Sequence, residues 1–154
     1  TLVFAAGLLQ PPFYSGSGPG SYGSAGALIA RELSKLIEPV PAATECLEKH
    51  MGTRETLPDD VADQAGLLFA WIARPKAPGR IGGFTGDQRF LLAWAQTWCE
   101  SELEVAARER ARMRPFTPAR RRVNTGVSNL PEFRKVFACG AGLPLSSGPA
   151  CRVW

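Results

Sequence analysis

Ala30-Arg31-Glu32-Leu33-Ser34-Lys35 is the stretch on which the reading of this sequence turns. It lies inside a helical pattern: Leu28, Ile29, Leu33, Leu36 and Ile37 recur at steps of three and four. That spacing predicts an amphipathic helix from Ala25 to about Glu38, stopped by Pro39 and Pro41. Arg31 and Lys35 then stand one helical turn apart, with Glu32 beside the first of them. Alone, such a turn is an ordinary basic helix surface. Its neighbours give it meaning.

Upstream, residues 11–26 are rich in Gly, Ser and Pro and read as a flexible loop. Downstream, a short helix is expected from Ala42 to Met51. A longer one follows from Leu57 to Ala73, with Val61, Ala65, Leu68 and Ile72 on one stripe. The prolines and glycines between Pro75 and Gly83 make a loop, and Thr85-Gly86-Asp87-Gln88 reads as a capping box. From there a helix is predicted to run to about Met113, burying Leu91, Trp94, Ala95, Trp98, Val105 and Ala106, before Pro115 and Pro118 close it. A last short helix covers Pro131 to Ala138. Few runs alternate as strands do, so the fold class is mainly α with little β, and residues 1–154 form one domain.

At 45% hydrophobic and 21% charged the composition is that of a globular chain. The longest apolar run, Gly66 to Ala73, is too short to span a bilayer, so no membrane span is expected within this chain. The net charge of +4 comes largely from residues 108–122, which hold seven arginines. Phe116 is the sole aromatic residue among them, so the run reads as a solvated face and not as a nucleic-acid surface. Cys46, Cys99, Cys139 and Cys151 contain no C-x-x-C spacing, which argues against a zinc ribbon or a thioredoxin-like site. His50 is the single histidine and reads as an ordinary surface residue; with Cys46 it makes only two ligands, too few for structural zinc. Asp59, Asp60 and Asp63 read as a charged helix N-terminus favoured by the macrodipole, in preference to a calcium site.

Several segments, in order along the chain, resemble the neprilysin family of zinc metallopeptidases. Val3-Phe4-Ala5-Ala6-Gly7-Leu8-Leu9-Gln10-Pro11-Pro12-Phe13-Tyr14 looks like the approach to that family's zinc helix. Asp59-Asp60-Val61-Ala62-Asp63-Gln64-Ala65-Gly66 is similar to its E-N-x-A-D-x-G-G helix, and Phe90 to Cys99 to its apolar helix ending in Cys. Arg122-Val123-Asn124-Thr125-Gly126-Val127-Ser128-Asn129 resembles R-V-x-G-x-L-x-N, and Cys151-Arg152-Val153-Trp154 the terminal signature. Cys46 to His50 resembles the Kell blood-group member. The resemblance implies the C-terminal part of a thermolysin-like (zincin) catalytic domain.

It also shows what has changed. The family's zinc helix carries H-E-x-x-H; here Glu32 keeps the general-base position while Arg31 and Lys35 occupy the two histidine positions. Guanidinium offers no lone pair to a metal, and lysine ligates only when deprotonated. Asp59 stands at the glutamate-ligand position, Asp63 keeps the supporting carboxylate and Arg122 the arginine that neighbours the family's oxyanion histidine. The oxyanion-stabilising histidine falls at Phe116. The run between Lys35 and Asp59 is much shorter than in the family and lacks its Asp- and Gly-rich loop.

The resemblance thus implies a catalytically degenerate ectodomain, a pseudopeptidase that binds a peptide or protein ligand or acts structurally. Glu32, Asp63 and Arg122 would be vestigial catalytic groups, with no metal and no cofactor where the family uses zinc. The alternative is a zinc metalloendopeptidase with Glu32 as general base. Arg31 and Lys35 together carry the charge of Zn²⁺, so they either pair with Glu32, Asp59 and Asp63 or extend to solvent. Stranding one such buried carboxylate would cost about 3–5 kcal/mol. The resemblance further implies a Cys46–Cys151 disulfide, whose loop of about 100 residues contributes up to ~4.7 kcal/mol in the chain-entropy model. Cys99 and Cys139 resemble cysteines paired with the N-terminal part of the family protein. The chain opens on Thr1 in mid-motif, which reads as a piece of a longer polypeptide; the resemblance implies that it is extracellular or the ectodomain of a type II membrane protein.

Overall fold

The computed structural model describes residues 2–51, 55–113, 117–140, 142–145 and 151. A 3₁₀ turn at Ala6–Leu9 leads to a helical segment in three parts: α1 (Pro19–Ser21), a π-helical stretch (Tyr22–Gly26) and α2 (Ala27–Ser34). Then come α3 (Pro41–Met51), α4 (Leu57–Ala73), a two-residue hairpin of β1 (Arg80–Ile81) and β2 (Phe84–Thr85), and α5 (Gly86–Thr97). The hairpin is antiparallel, pairing Arg80 with Thr85 and Ile81 with Phe84. The chain continues through α6 (Glu104–Met113), α7 (Ala119–Asn129) and α8 (Glu132–Val136). The fold is mainly α, as the sequence predicts.

Helix α4 is the spine. Every residue from Asp60 to Leu67 is buried, so this helix is covered all round and not along one stripe, while Ile72 at its far end is exposed. One core gathers Ala27 of α2, Leu67, Ala70 and Trp71 of α4, Phe90, Leu91 and Trp94 of α5, and Val127 and Leu130 around α7. Trp71 meets Phe90 edge to face at 5.3 Å. A second, smaller core joins Ala43 and Leu47 of α3 to Leu57, Val61 and Cys151. The Cys46–Cys151 disulfide pins it, with a Cα–Cα distance of 5.6 Å across 105 residues.

Glycine sets the closest approaches. A Cβ on Gly66 would lie 2.6 Å from the carbonyl oxygen of Ala27 and 2.8 Å from Cβ of Arg31, so its absence lets α2 lie directly on α4. Gly23 does the same toward Phe90, whose carbonyl oxygen would be 2.0 Å from an added Cβ. This revises the loop expected over residues 11–26. From Pro19 the chain is helical, with Ser21, Gly23, Ser24 and Ala25 buried. The small residues serve close packing: Ser24 donates to the carbonyls of Phe13 and Gly20, and Ser15 donates its backbone N–H to Ser21 Oγ.

Three other boundaries differ from the sequence reading. Helix α2 ends at Ser34, not near Glu38, so Leu33, Leu36 and Ile37 are exposed. The helix beginning at Thr85 is capped as expected, by reciprocal Thr85–Gln88 bonds of 3.0 and 3.2 Å, but it stops at Thr97. Glu100 and Glu102 lie just beyond, where negative charge opposes the helix dipole, and they bind Arg110 instead. The chain restarts as α6, on which Val105 and Ala106 are exposed rather than buried. Helix α7 has no counterpart in the sequence reading; its Gly126 and Val127 pack inward. Part of the basic run faces solvent, with Arg108 on Glu104 and Arg112 on Glu109, while Arg122 at its end turns inward to Asp63.

Candidate functional site

The close packing of α2 on α4 brings the two charged motifs face to face. Arg31 divides its guanidinium among three carboxylates. Its Nε donates to Asp63 Oδ1 at 2.5 Å, its Nη2 to Asp59 Oδ1 at 2.5 Å, and its Nη1 to Glu32 Oε1. All three nitrogens of the fork are used. Arg31 is 11% exposed and Asp63 only 2%, so the pair is sheltered from water. Lys35, the first residue beyond α2, is 40% exposed and holds Glu32 Oε2 at 3.0 Å, with Asp59 Oδ1 at 3.6 Å. Both cations therefore pair with the acids instead of turning to solvent.

Arg122 approaches Asp63 from α7, the opposite side. Its Nε lies 2.8 Å from Oδ2, a charge contact without the alignment of a hydrogen bond. Its guanidinium carbon stacks 4.2 Å above the Trp98 ring, which itself meets Trp94 edge to face. Behind this layer Asp60, also fully buried, accepts from Thr56 Oγ1 at 2.9 Å and from Thr117 Oγ1 at 2.5 Å. Asp60 thereby ties the N-terminal end of α4 to the segment leading into α7.

Burial and pairing pull the carboxylates in opposite directions. Burial dominates at Asp63, pushing its carboxyl up from the usual 3.8 to about 6 against the pull of Arg122 and Arg31, with the like charge of Asp60 adding to the rise. Burial also raises Glu32 and Asp59, but there the cations win. Lys35 and Arg31 hold Glu32 below its ordinary range, and Arg31 and Lys35 do the same for Asp59. Burial disfavours the charge of Arg31, yet its three acids override this and raise its pKa. The cluster is a cation-bridged carboxylate site that stays ionised at neutral pH.

In front of it opens a cleft of about 500 Å³, whose walls include Arg31, Lys35, Asp59 and Arg122 together with Thr97, Trp98 and Arg110. Trp98 is the residue the sequence reading missed as part of the site. Its spacing from Trp94 marked it as core, and nothing in the sequence places Arg122 above it. Phe116, at the lost oxyanion position, lies outside the described residues. Cys99 is exposed and Cys139 partly buried, both as free thiols, and His50 is exposed on α3.

Comparison with known proteins places this helical scaffold in a family. The profile of Peptidase family M13 matches residues 35–153, and the chain belongs to this family. It is 28% identical to endothelin-converting enzyme 1 of Bos taurus over 195 residues, covering 99% of this chain and 26% of the relative. Neprilysin-3 of Drosophila melanogaster is 27% identical over 198 residues, with 25% of that protein covered. The chain thus spans about a quarter of the length of these curated relatives. Among solved structures, the zinc metalloprotease Zmp1 of Mycobacterium tuberculosis in its open state superposes with a TM-score of 0.78 at 23% identity, over 98% of this chain and 30% of that one. A Haemonchus galactose-containing glycoprotein complex superposes at 0.76 and 21% identity, over 92% and 31%.

Proposed function

We propose that this chain is a catalytically silent member of the peptidase family, in which cations replace the catalytic metal and the cleft serves binding or structural support. The observation that carries the reading is the engagement of Arg31, whose three nitrogens bond Asp63, Asp59 and Glu32. Zinc is held by neutral imidazole, thiolate and carboxylate ligands, and it needs their lone pairs free. Here two of the expected donors are cations, and the carboxylate oxygens nearest the site accept from one of them. Among the described residues, no group of three His, Cys, Asp or Glu side chains is arranged to hold a metal. The residues do not fit a zinc ion.

Without metal-activated water, Glu32 has no acidified nucleophile to deprotonate, and salt-bridging to Lys35 and Arg31 further weakens it as a base. What remains is a cleft with fixed charges and a partly buried tryptophan-arginine stack at its wall, suited to holding a peptide or protein ligand. An extracellular setting fits the Cys46–Cys151 disulfide, since such bonds persist in oxidising compartments. Among the described residues no helix is long and apolar enough to cross a membrane. The reading is tested by assaying the purified protein, with added zinc, on fluorogenic peptides in the presence and absence of phosphoramidon. The expected result is no inhibitor-sensitive cleavage; turnover abolished by phosphoramidon and by Glu32→Gln would overturn it.

A further inference from the structure

Helix α6 stands apart from the core. None of residues 104–110, 112 and 113 is buried, and among the described residues no other element packs broadly against it. Two of its ion pairs are internal, Arg108 on Glu104 and Arg112 on Glu109, and Arg110 binds Glu100 and Glu102 on the approach to the helix. Pairs this exposed add little stability. The helix has ten residues, short of the ~12–15 that a helix without tertiary packing needs to hold in water. Helices α7 and α8 carry exposed arginines too, but α7 packs on α4 and α5, and α8 on α5. Local unwinding is therefore easiest at α6, and it carries the arginines of that helix with it.

A chain break at this place has a defined outcome. Cys46 lies before α6 and Cys151 after it, so their disulfide spans the helix. We propose that α6 is a proteolytic processing site, at which a trypsin-like serine peptidase hydrolyses the Arg112–Met113 bond and leaves two chains joined by the Cys46–Cys151 disulfide. The bond is chosen by exposure and by its neighbours. The Arg112 side chain is 74% and Met113 83% exposed, and both lie in the last turn, where helical carbonyls lack intrahelical partners. Arg110 is held by two acids, Arg108 is followed by acidic Glu109, and Arg114 by Pro115, whose ring closes on the backbone nitrogen. Hydrolysis consumes one water: its hydroxyl joins the Arg112 carbonyl carbon as a new carboxylate, and the Met113 nitrogen leaves as a new α-amino group. The nick falls between cleft residues Arg110 and Thr117. Thr117 on Asp60 and Arg122 on Asp63 still hold the later piece against α4, so the cleft keeps its residues and loses the covalent link across one wall. The inference holds whether or not the neighbouring site binds zinc.

The test is limited digestion of the purified chain with trypsin at a low enzyme ratio, followed by intact-mass spectrometry and by gels with and without reducing agent. The first cut should give residues 1–112 and 113–154, seen as two bands after reduction and one band at the parent position without it. Arg112→Gln should lengthen the half-life of the intact chain by about tenfold or more, because a pocket built for a cationic side chain rejects a neutral one. That side chain is exposed, so the variant should keep the parent circular dichroism and melting temperature. Protein recovered from its native source should show the new N-terminus Met113-Arg114-Pro115-Phe116 on sequencing. A first cut after Lys76 or Arg80, both exposed around the hairpin, would overturn the proposal, as would equally fast digestion of Arg112→Gln. So would native protein that lacks the Met113 terminus, or cut halves that separate without reducing agent.

Discussion

Replacing Arg31 with alanine probes the cation bridge at its strongest point. The guanidinium is 11% exposed, and its Asp63 partner is 2% exposed. Its other partners, Asp59 and Glu32, are more than a third exposed, and such pairs are worth only about 0–1 kcal/mol each. The cost of Arg31→Ala therefore comes mainly from Asp63, left buried with only Arg122 as counterion. Removing one partner of a buried pair costs about 3–5 kcal/mol. Because Arg122 remains, the lower end of that range is the better expectation, a fall in melting temperature of roughly 6–12 °C at 2–4 °C per kcal/mol. Differential scanning calorimetry at pH 7.5 would measure it, alongside Asp63→Asn and the double variant. The two changes should couple by about 1–3 kcal/mol, since Asp63→Asn removes the charge that Arg31 neutralises. A fall under 2 °C with additive double-variant behaviour would show that Arg31 bridges nothing of consequence.

Three further outcomes follow from the same geometry. Gly66→Ala drives a methyl into the Ala27 carbonyl at 2.6 Å, where neither backbone can yield, and should destabilise by about 3 kcal/mol or more in urea unfolding. The raised pKa of Asp63 gives an inverted pH dependence: between about pH 4 and 6 the folded protein keeps a proton that the unfolded chain releases, so this group's contribution falls as pH rises, by about 3 kcal/mol in all. The lowered carboxyls of Glu32 and Asp59 contribute the opposite slope, stability present above their unfolded pKa and lost as pH falls. The stability of Asp63→Asn relative to the parent should therefore improve as pH rises through that window, and a flat difference would refute the assignment. Replacing both Cys46 and Cys151 with alanine should cost up to about 4.7 kcal/mol in the chain-entropy picture, read as a lowered urea midpoint that reducing agent reproduces in the parent alone.

The sequence carried the composition of the site better than its surroundings. Charge counting between Arg31, Lys35, Glu32, Asp59 and Asp63 leaves two outcomes open, pairing or extension to solvent, and the structure takes the first. Periodicity located α4 and the Thr85 cap, whose signals are local. It failed where burial depends on elements distant in sequence. Leu36 and Ile37 fit the helical stripe but are exposed beyond the end of α2, and Val105 falls on the separate helix α6, where it is exposed. The glycine- and serine-rich stretch before α2 imitates a loop because close helix packing and flexible chain use the same residues. Asp60 illustrates the same limit: a helix N-terminus explains its charge, but only the fold brings Thr117 to its carboxylate.

The central claim is that Arg31 and Lys35 stand in for a metal, and metal content tests it most directly. The protein should be unfolded in chelator, refolded with excess zinc at pH 7.5, desalted and analysed by plasma mass spectrometry beside an Arg31→His, Lys35→His double variant. The account predicts no stoichiometric zinc in the parent and its appearance in the double variant, where two imidazoles regain the turn spacing next to Asp59. One zinc per chain in the parent, lost when Asp59 or Glu32 is neutralised, would contradict it.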